Sequence, residues 1–243
     1  MRILRKVSVF WKSVFLLVMI AVPSVLAAQE SAKGELYGSL DLSSKHLWRG
    51  MPAGESPMVK PTVGFNKGNF DVYLWGAIDF EDTYREINIG LSYVLGNFTF
   101  ELLDYFYPWS KDDIFKLASN TTTHQVEFIA TYEFEKLPFH ITAGTFLYGD
   151  DKNMKGNHAF STYVEGGYTH EFNEKNMLSA VAGFSVGKGY YTDYTKNFDL
   201  VNLTAEYTRL FNVFDTDVPV TASYTYNPYL KKSWVYATVG ISF

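Results

Sequence analysis

The sequence predicts an all-β protein: a closed antiparallel transmembrane β-barrel of about twelve strands, following an N-terminal signal peptide. Three observations predict this fold class. Segment after segment alternates apolar with polar or small residues, as strands with two different faces do. The connections alternate between tight turns and longer loops, and aromatic residues gather at segment ends, as in the interfacial girdles of membrane barrels.

The N-terminal segment has the features of a secretory signal peptide. Basic residues precede an apolar run over residues 14–22, about half of the roughly 20 residues that a membrane-spanning helix needs. Val25 and Ala27 suit signal peptidase, so we predict a signal peptide over residues 1–27 and an outer-membrane barrel over residues 28–243. A retained N-terminal anchor is the alternative interpretation.

The composition limits the classes of function. Cleavage after Ala27 removes four basic residues and takes the formal net charge from −5 to −9, so no basic stripe remains and nucleic acid is not expected as a partner. The chain has no cysteine, so it forms no disulfide and is not a lipoprotein. We predict no cofactor and no metal site, since His140 and His170 lack a second ligand at helical or hairpin spacing.

Each predicted strand has one oily face and one wet face. In the fourth segment, for example, Ile87 and Ile89 alternate with Glu86 and Asn88. An even number of segments suits a closed bacterial barrel. A barrel of ten or fourteen strands is the alternative, because the region 35–66 is irregular. The segments are residues 35–49, 58–66, 69–80, 84–95, 98–107, 123–135, 138–149, 159–172, 177–188, 198–209, 218–227 and 233–243.

The joints between segments predict which rim is which. In bacterial barrels short turns face the periplasm and long loops face outward. Tight joints lie at 66–69, 96–97, 135–138 and 173–176, with a looser one at 211–217, and the opposite joints lie at 46–57, 81–83, 108–122, 150–158, 189–197 and 228–232. The last segment ends on Phe243, like the signal that the bacterial barrel-assembly machinery reads. We therefore expect that machinery and outer-membrane lipid as partners.

A soluble β-sandwich or lipocalin-like barrel is the alternative fold. The same alternation would then place the oily faces inside. The wet faces, however, are rich in Gly, Ser and Thr, and the aromatic residues form belts at both rims. These features together favour the membrane barrel, whose closure pairs every strand edge.

The segment from Leu40 to Gly50 carries a family resemblance. Ser44, Trp48, Arg49 and Gly50 match a Ser-x-x-x-aromatic-Arg-Gly signature, and an aromatic-rich hairpin strand follows at 73–76. The first half of the chain, including the aromatic-Tyr-Pro run at 105–109, resembles the TorF-type porins. The resemblance implies an outer-membrane barrel and allows a channel, with no named solute.

The wet faces predict an acidic lumen. Carboxylates in a narrow aqueous pore raise the local concentration of cations and repel anions. A packed polar plug, in which the same groups pair with one another, is the alternative. Arg49 is interpreted as an ion-paired gate or clamp at the outer mouth, or as a loop anchor beside Gly50. The predicted pore-lining residues are Asp41, Lys45, Arg49, Asp79, Glu86, Glu101, Glu127, Glu165 and Glu206, with Asp71 and Lys60 on the same faces.

The sequence therefore predicts a passive porin of the bacterial outer membrane, not an enzyme, for small hydrophilic solutes and with a weak cation preference. The sequence does not determine its oligomeric state. An outer-membrane lipid-modifying enzyme is one alternative, with His124, His158, Ser161 and Glu165 as candidates, because serine activation needs a base and an orienting group within reach. A non-conducting structural or adhesive barrel with binding loops at 109–114 and 189–194 is the other.

Overall fold

The computed structural model describes residues 33–108 and 113–243, so the predicted signal peptide lies outside the described residues. Twelve strands form one closed antiparallel barrel, which confirms the predicted fold class. The barrel strands are β1 (Glu35–Ser43), β4 (Met58–Lys67), β5 (Phe70–Asp79), β6 (Arg85–Leu95), β7 (Phe98–Phe106), β8 (Gln125–Glu133), β9 (Phe139–Gly149), β10 (Thr162–Asn173), β11 (Asn176–Val186), β12 (Phe198–Val213), β13 (Thr216–Asn227) and β14 (Lys232–Ser242).

Four short elements lie outside the barrel wall. Strands β2 (His46–Trp48) and β3 (Met51–Gly54) form a separate antiparallel hairpin between β1 and β4. Two 3₁₀ turns, Asp113–Phe115 and Tyr190–Thr192, lie in longer connections. Within the two described ranges, no helix is long and apolar enough to span a membrane.

The apolar side chains of the wall point outward. Leu74, Ile89 and Val235 are 45%, 54% and 71% exposed, whereas the polar residues that alternate with them face the interior, Asn88 being 7% exposed. A soluble barrel would have the opposite arrangement. An apolar band of this extent needs a cover of lipid or protein, so the structure favours the membrane barrel.

The two ends of the barrel differ in their connections. Tight turns join β4 to β5, β6 to β7, β8 to β9, β10 to β11 and β12 to β13 at one end, which we call the turn end. The other end, the loop end, carries the longer connections. The prediction of a looser joint at 211–217 is wrong. Phe214 (φ 51°) and Asp215 (φ 62°) form a two-residue turn between β12 and β13. Positive φ at both central residues matches the twist of a tight hairpin.

The first predicted segment, 35–49, is also wrong in its extent. The wall strand ends at Ser43, whose hydroxyl donates a hydrogen bond of 2.6 Å to the carbonyl of Lys45 and so fixes the change of direction. The chain then forms the hairpin β2–β3. Arg49 (φ 49°) and Gly50 (φ 81°) form its two-residue tip. The alternating pattern continues from β1 into β2, so periodicity alone cannot separate them.

One bulge turns an expected lipid-facing residue inward. Val201 belongs to the apolar face of its segment by parity, but β12 is bulged opposite Gly183 and Phe184. The side chain of Val201 is consequently fully buried in the interior cluster of the barrel. A bulge re-aims side chains in this way because it adds one residue to only one strand of a pair.

Candidate functional site: the barrel lumen

The hairpin β2–β3 crosses the lumen at the loop end and contacts the opposite wall. A Cβ on Gly50 would lie 2.2 Å from the Val201 carbonyl oxygen, so only glycine fits this approach of backbone to β12. The side-chain amide of Asn227 donates to the Gly50 carbonyl oxygen at 3.1 Å. Trp48 packs against Tyr105 and Tyr191, each with ring centroids 5.6 Å away. The hairpin is therefore anchored across the full width of the barrel.

Arg49 is the centre of this contact. Its Nη1 donates to Glu127 Oε1 and to the Tyr191 hydroxyl, each at 2.5 Å, and the Tyr105 hydroxyl donates to Glu127 Oε2 at 2.8 Å. The guanidinium carbon lies 4.7 Å from the centre of the Tyr163 ring, a cation–π contact. We call Arg49, Tyr105, Glu127, Tyr163 and Tyr191 the Arg49 cluster.

The Arg49 cluster is shielded from solvent. The side chains of Arg49 and Glu127 are 11% and 0% exposed. A Cβ on Gly144 of β9 would come within 2.3 Å of Glu127 Oε1 and 2.9 Å of Arg49 Nη2, so the missing side chain at 144 makes room for the pair. Burying two charges is costly, and the cost is met only when each finds partners of good geometry. Here the carboxylate accepts from both Arg49 and Tyr105.

Most of the other predicted carboxylates lie in the lumen outside the buried Arg49–Glu127 pair and remain partly exposed. Each of four accepts a hydrogen bond from a hydroxyl: Asp71 from Tyr37 (3.1 Å), Glu101 from Tyr73 (2.5 Å), Glu165 from Tyr163 (2.6 Å), and Glu206 from Ser223 (2.8 Å) and Tyr236 (3.2 Å). Hydroxyl donors hold a carboxylate without neutralising its charge. This part of the lumen is therefore acidic.

Lys60 is the basic residue that the structure places among these carboxylates. It is the cross-strand partner of Asp41. Glu206 also lies within electrostatic range of it. Asp41, Lys60 and Glu206 thus form a second charged group inside the barrel, with more negative than positive groups.

Three predicted pore-lining residues lie at the loop end in other roles. Asp79 accepts from the backbone N–H groups of Thr83 (2.8 Å) and Tyr84 (3.1 Å), so it holds the turn between β5 and β6. Lys45 donates to the carbonyl of Glu55 at 3.5 Å, within its own connection. The remaining one, Glu86, accepts from the Tyr84 hydroxyl and lies 3.8 Å from His46 Nε2.

The predicted pore-lining residues do not include the tyrosines of the Arg49 cluster, and Tyr191 enters the predictions only through the candidate binding loop 189–194. Tyr105 shares the inward parity of Glu101, and Tyr163 that of Glu165, so alternation gives their direction. No local pattern indicates that they meet Arg49. Tyr191 lies in a loop, where parity carries no information.

The residues of the enzymatic alternative do not assemble into a catalytic group. The Ser161 hydroxyl donates to Asp151 Oδ1 at 2.5 Å and accepts from the backbone N–H of Tyr190 at 2.8 Å. His158 Nε2 is 3.1 Å from the carbonyl oxygen of Phe146 and 4.0 Å from Asp151 Oδ2. His124 pairs with Asp104 at 2.8 Å. Among these residues, no imidazole is hydrogen-bonded to the serine that it would have to activate.

The adhesive alternative placed binding patches on two loops. Residues 109–112 lie outside the described part of the chain. In the other loop, Tyr191 is 2% exposed and belongs to the Arg49 cluster, while Tyr190 is 46% exposed. The second patch therefore faces largely into the barrel.

Comparisons with solved structures give likenesses of fold at low sequence identity. A "NanC porin structure in rhombohedral crystal form" is 10% identical, with 86% of this chain and 99% of that chain covered and a TM-score of 0.49. A Salmonella typhi OmpF complex with daunomycin is 8% identical, covers 87% and 97%, and has a TM-score of 0.37. A protein from "Asymmetric conductivity of engineered proteins" is 12% identical, with a TM-score of 0.39. That match includes 76% of this chain, which spans only 55% of the length of the other protein.

No protein family and no curated protein matches the chain. Membership of the TorF-type porins therefore stays a prediction. The closed barrel is established by the strand pairing of this chain itself, and no solute follows from likenesses of this strength.

Proposed function

We propose that the protein is an outer-membrane barrel that acts as a passive porin for small hydrophilic solutes, with a weak preference for cations. One observation carries the proposal: a closed barrel with an apolar outer face encloses a partly exposed, carboxylate-lined interior. A lumen of this kind gives a polar path across an apolar layer, which is the physical requirement of a porin.

The membrane placement follows from the two ends of the barrel. Tight turns face the periplasm and longer loops face outward in bacterial outer-membrane barrels. By this rule the hairpin β2–β3 lies at the extracellular mouth. Phe243 exchanges backbone hydrogen bonds with Gly38 at the seam between β14 and β1. We include the assembly machinery, acting on the strand that ends there, as a partner in the proposal.

The cation preference follows from the charge of the lumen wall. Asp41, Asp71, Glu101, Glu165 and Glu206 line it, with Lys60 among them. Their hydroxyl partners leave the negative charge in place, so cations are concentrated and anions are repelled. The preference is weak because one lysine offsets part of the field and because salt screens charges about 10 Å apart at 0.1 M.

The hairpin sets the size of the solute. It crosses the lumen at the loop end, so any path must pass around the Arg49 cluster.

A second candidate function has a specific observation in its favour: the cluster is so well buried that it can make the barrel a closed structural element. The two candidates differ in whether ions pass.

Single-channel conductance of the refolded protein in a planar bilayer separates them. A salt gradient gives the sign of selectivity, and the double variant Glu101→Gln, Glu206→Gln tests the lining. We expect discrete conductance steps and a cation-favouring reversal potential that moves toward zero in the variant. Glu174→Gln, in an exposed turn, is the matched control and should keep the wild-type value. A correctly folded barrel without steps would contradict the porin and support the closed structural barrel.

Glu127 is unsuitable for this test of selectivity. Its carboxylate is the partner of Arg49, so Glu127→Gln would leave a buried guanidinium without its counter-ion and disturb the hairpin. The hydrogen bonds described above for Glu101 and Glu206 all come from hydroxyl groups. Replacing these two residues with glutamine changes the charge with little change in shape.

A further inference from the structure

A cavity lies between the hairpin and the residues of the barrel around it at the loop end. It has a volume of about 150 Å³ and is partly open. Four aromatic residues and one carboxylate give it its character: Trp48, Tyr84, Tyr107, Tyr190 and Glu86. We call it the hairpin cavity.

The aromatic rings come from both sides of the cavity. Trp48 belongs to the hairpin and Tyr190 to the loop before β12, with ring centroids 6.4 Å apart. Tyr84 directly precedes β6 and Tyr107 directly follows β7, and their ring centroids are also 6.4 Å apart, with the rings inclined at 62°. In an inclined pair the edge of one ring meets the face of the other, and the face of an aromatic ring is its negative side. A positive group between them is attracted by several rings at once.

Glu86 adds a carboxyl group to the cavity. It is 3% exposed and lines the cavity directly. The Tyr84 hydroxyl donates to its Oε2, which is also the oxygen nearest His46, at 3.8 Å. Burial lowers the pKa of His46 to about 4, with Lys60 contributing, so the imidazole is neutral at pH 7 and does not offset the carboxylate.

From this juxtaposition of a buried carboxylate and four aromatic rings we propose that the hairpin cavity binds a small organic ammonium cation, such as a quaternary ammonium group. The occupant is organic because a metal ion requires several oxygen or nitrogen ligands, and no cluster of three or more His, Cys, Asp or Glu suited to a metal occurs in residues 33–108 and 113–243. It is cationic because the aromatic faces and Glu86 all repel an anion.

Titration calorimetry of the refolded full-length mature barrel tests the site, with choline and tetramethylammonium as probes. The matched control probe is 3,3-dimethyl-1-butanol, which has the shape of choline without its charge. We expect choline and tetramethylammonium to bind and the neutral alcohol to bind at least about tenfold more weakly, because only the charged probes gain the cation–π and carboxylate interactions.

Variants locate the binding in the cavity. Glu86→Gln keeps the size of the side chain and should weaken choline binding about tenfold or more, and Tyr107→Leu should weaken it as well. Glu206→Gln, a carboxylate elsewhere in the lumen, should leave binding unchanged. Tyr84→Phe keeps the ring and removes the hydroxyl contact with Glu86, so it should retain most of the binding. Heat-modifiable migration on a gel establishes that each variant is folded.

Several outcomes would overturn the inference: no heat of binding for either cation, equal binding of the neutral alcohol, or an equal loss of binding in Glu206→Gln. Conductance is recorded on the same preparations. Cation binding without conductance would support the hairpin cavity and contradict the porin, whereas conductance without binding would do the reverse.

Discussion

The two halves of the lumen have the same wall and different interiors. Toward the loop end, Glu127 is fully buried, paired with Arg49 and packed among tyrosines. Toward the turn end, Glu101 is partly exposed and accepts one hydrogen bond from Tyr73. Both are glutamates that alternate with apolar residues on neighbouring strands, β7 and β8. Alternation therefore fixes the direction of a side chain, and the environment depends on what else enters the barrel.

The hairpin β2–β3 makes the difference. It supplies Trp48, Arg49 and Gly50 to the loop-end half, and the polar faces there become the interior of a packed cluster. Residues 33–108 and 113–243 place no comparable element at the turn end, and the polar side chains there stay in contact with the lumen. Removing a carboxylate from the first setting leaves a buried guanidinium without its counter-ion, whereas removing one from the second changes the field along the path.

The largest expected effect is from removing Arg49. Arg49→Met leaves the carboxylate of Glu127 buried without its counter-ion, and we expect a loss of about 3–5 kcal/mol in the free energy of unfolding. Urea unfolding in detergent micelles, followed by tryptophan fluorescence, measures it. The double variant Arg49→Met, Glu127→Leu should recover most of the loss, since no buried charge remains.

An exposed ion pair is the control for Arg49. Asp82 and Arg85 are 67% and 45% exposed, and Asp82→Asn keeps a residue that tolerates the positive φ at that position. We expect a change below about 0.5 kcal/mol. If Arg49→Met cost no more than Asp82→Asn, the hairpin would not be held by this pair, and the contrast between the two halves would fail.

Acidification is expected to loosen the hairpin next. The folded-state pKa of His46 is lowered by burial, with a further contribution from Lys60, from 6.5 to about 4. Between pH 6.5 and 4 the unfolded protein therefore binds more protons than the folded protein. The contribution of His46 to the free energy of unfolding is fully present above this window and is lost as the pH falls through it. The shift corresponds to a loss of up to about 3 kcal/mol.

The pH dependence is checked against His46→Gln. Wild type and variant are unfolded in urea from pH 8 to pH 4, and the difference between them isolates His46 from the carboxylates that titrate in the same range, including its neighbour Glu86. We expect wild type to lose more stability than the variant below pH 6.5. Parallel curves would show that His46 is not buried in the neutral form.

The smallest of the three effects concerns Gly144. Gly144→Ala places a methyl group against Glu127 and Arg49, which must shift, and we expect a loss of about 1–3 kcal/mol. Gly166→Ala is the matched control on the outer face of β10, because a Cβ there meets nothing within 4 Å. It should be neutral or stabilising by about 0.5–1 kcal/mol. Equal effects of the two variants would mean that the pair has room to move.

Much of the barrel follows from the sequence. The alternation in β6, β8 and β14 predicts which residues face inward, and the structure confirms it for Glu86, Glu127 and Gly240, all buried inside, against Ile89, Phe128 and Val239 outside. A two-residue period is a property of the extended backbone itself, so it can be read without knowing the neighbours of a strand. The strand number is less well determined by the sequence, because the irregular region 35–66 allows ten or fourteen strands as well as twelve.

The tertiary structure decided how the interior is filled. Arg49 meets a glutamate 78 residues away and a tyrosine 142 residues away, and any acidic residue on an inward face satisfies the sequence pattern equally well. Val201 turns inward because a bulge adds one residue to a strand pair, which parity does not record. Local periodicity encodes the direction of a side chain relative to its own strand. The partner it meets depends on which segments the closed barrel brings together, and only the folded chain contains that information.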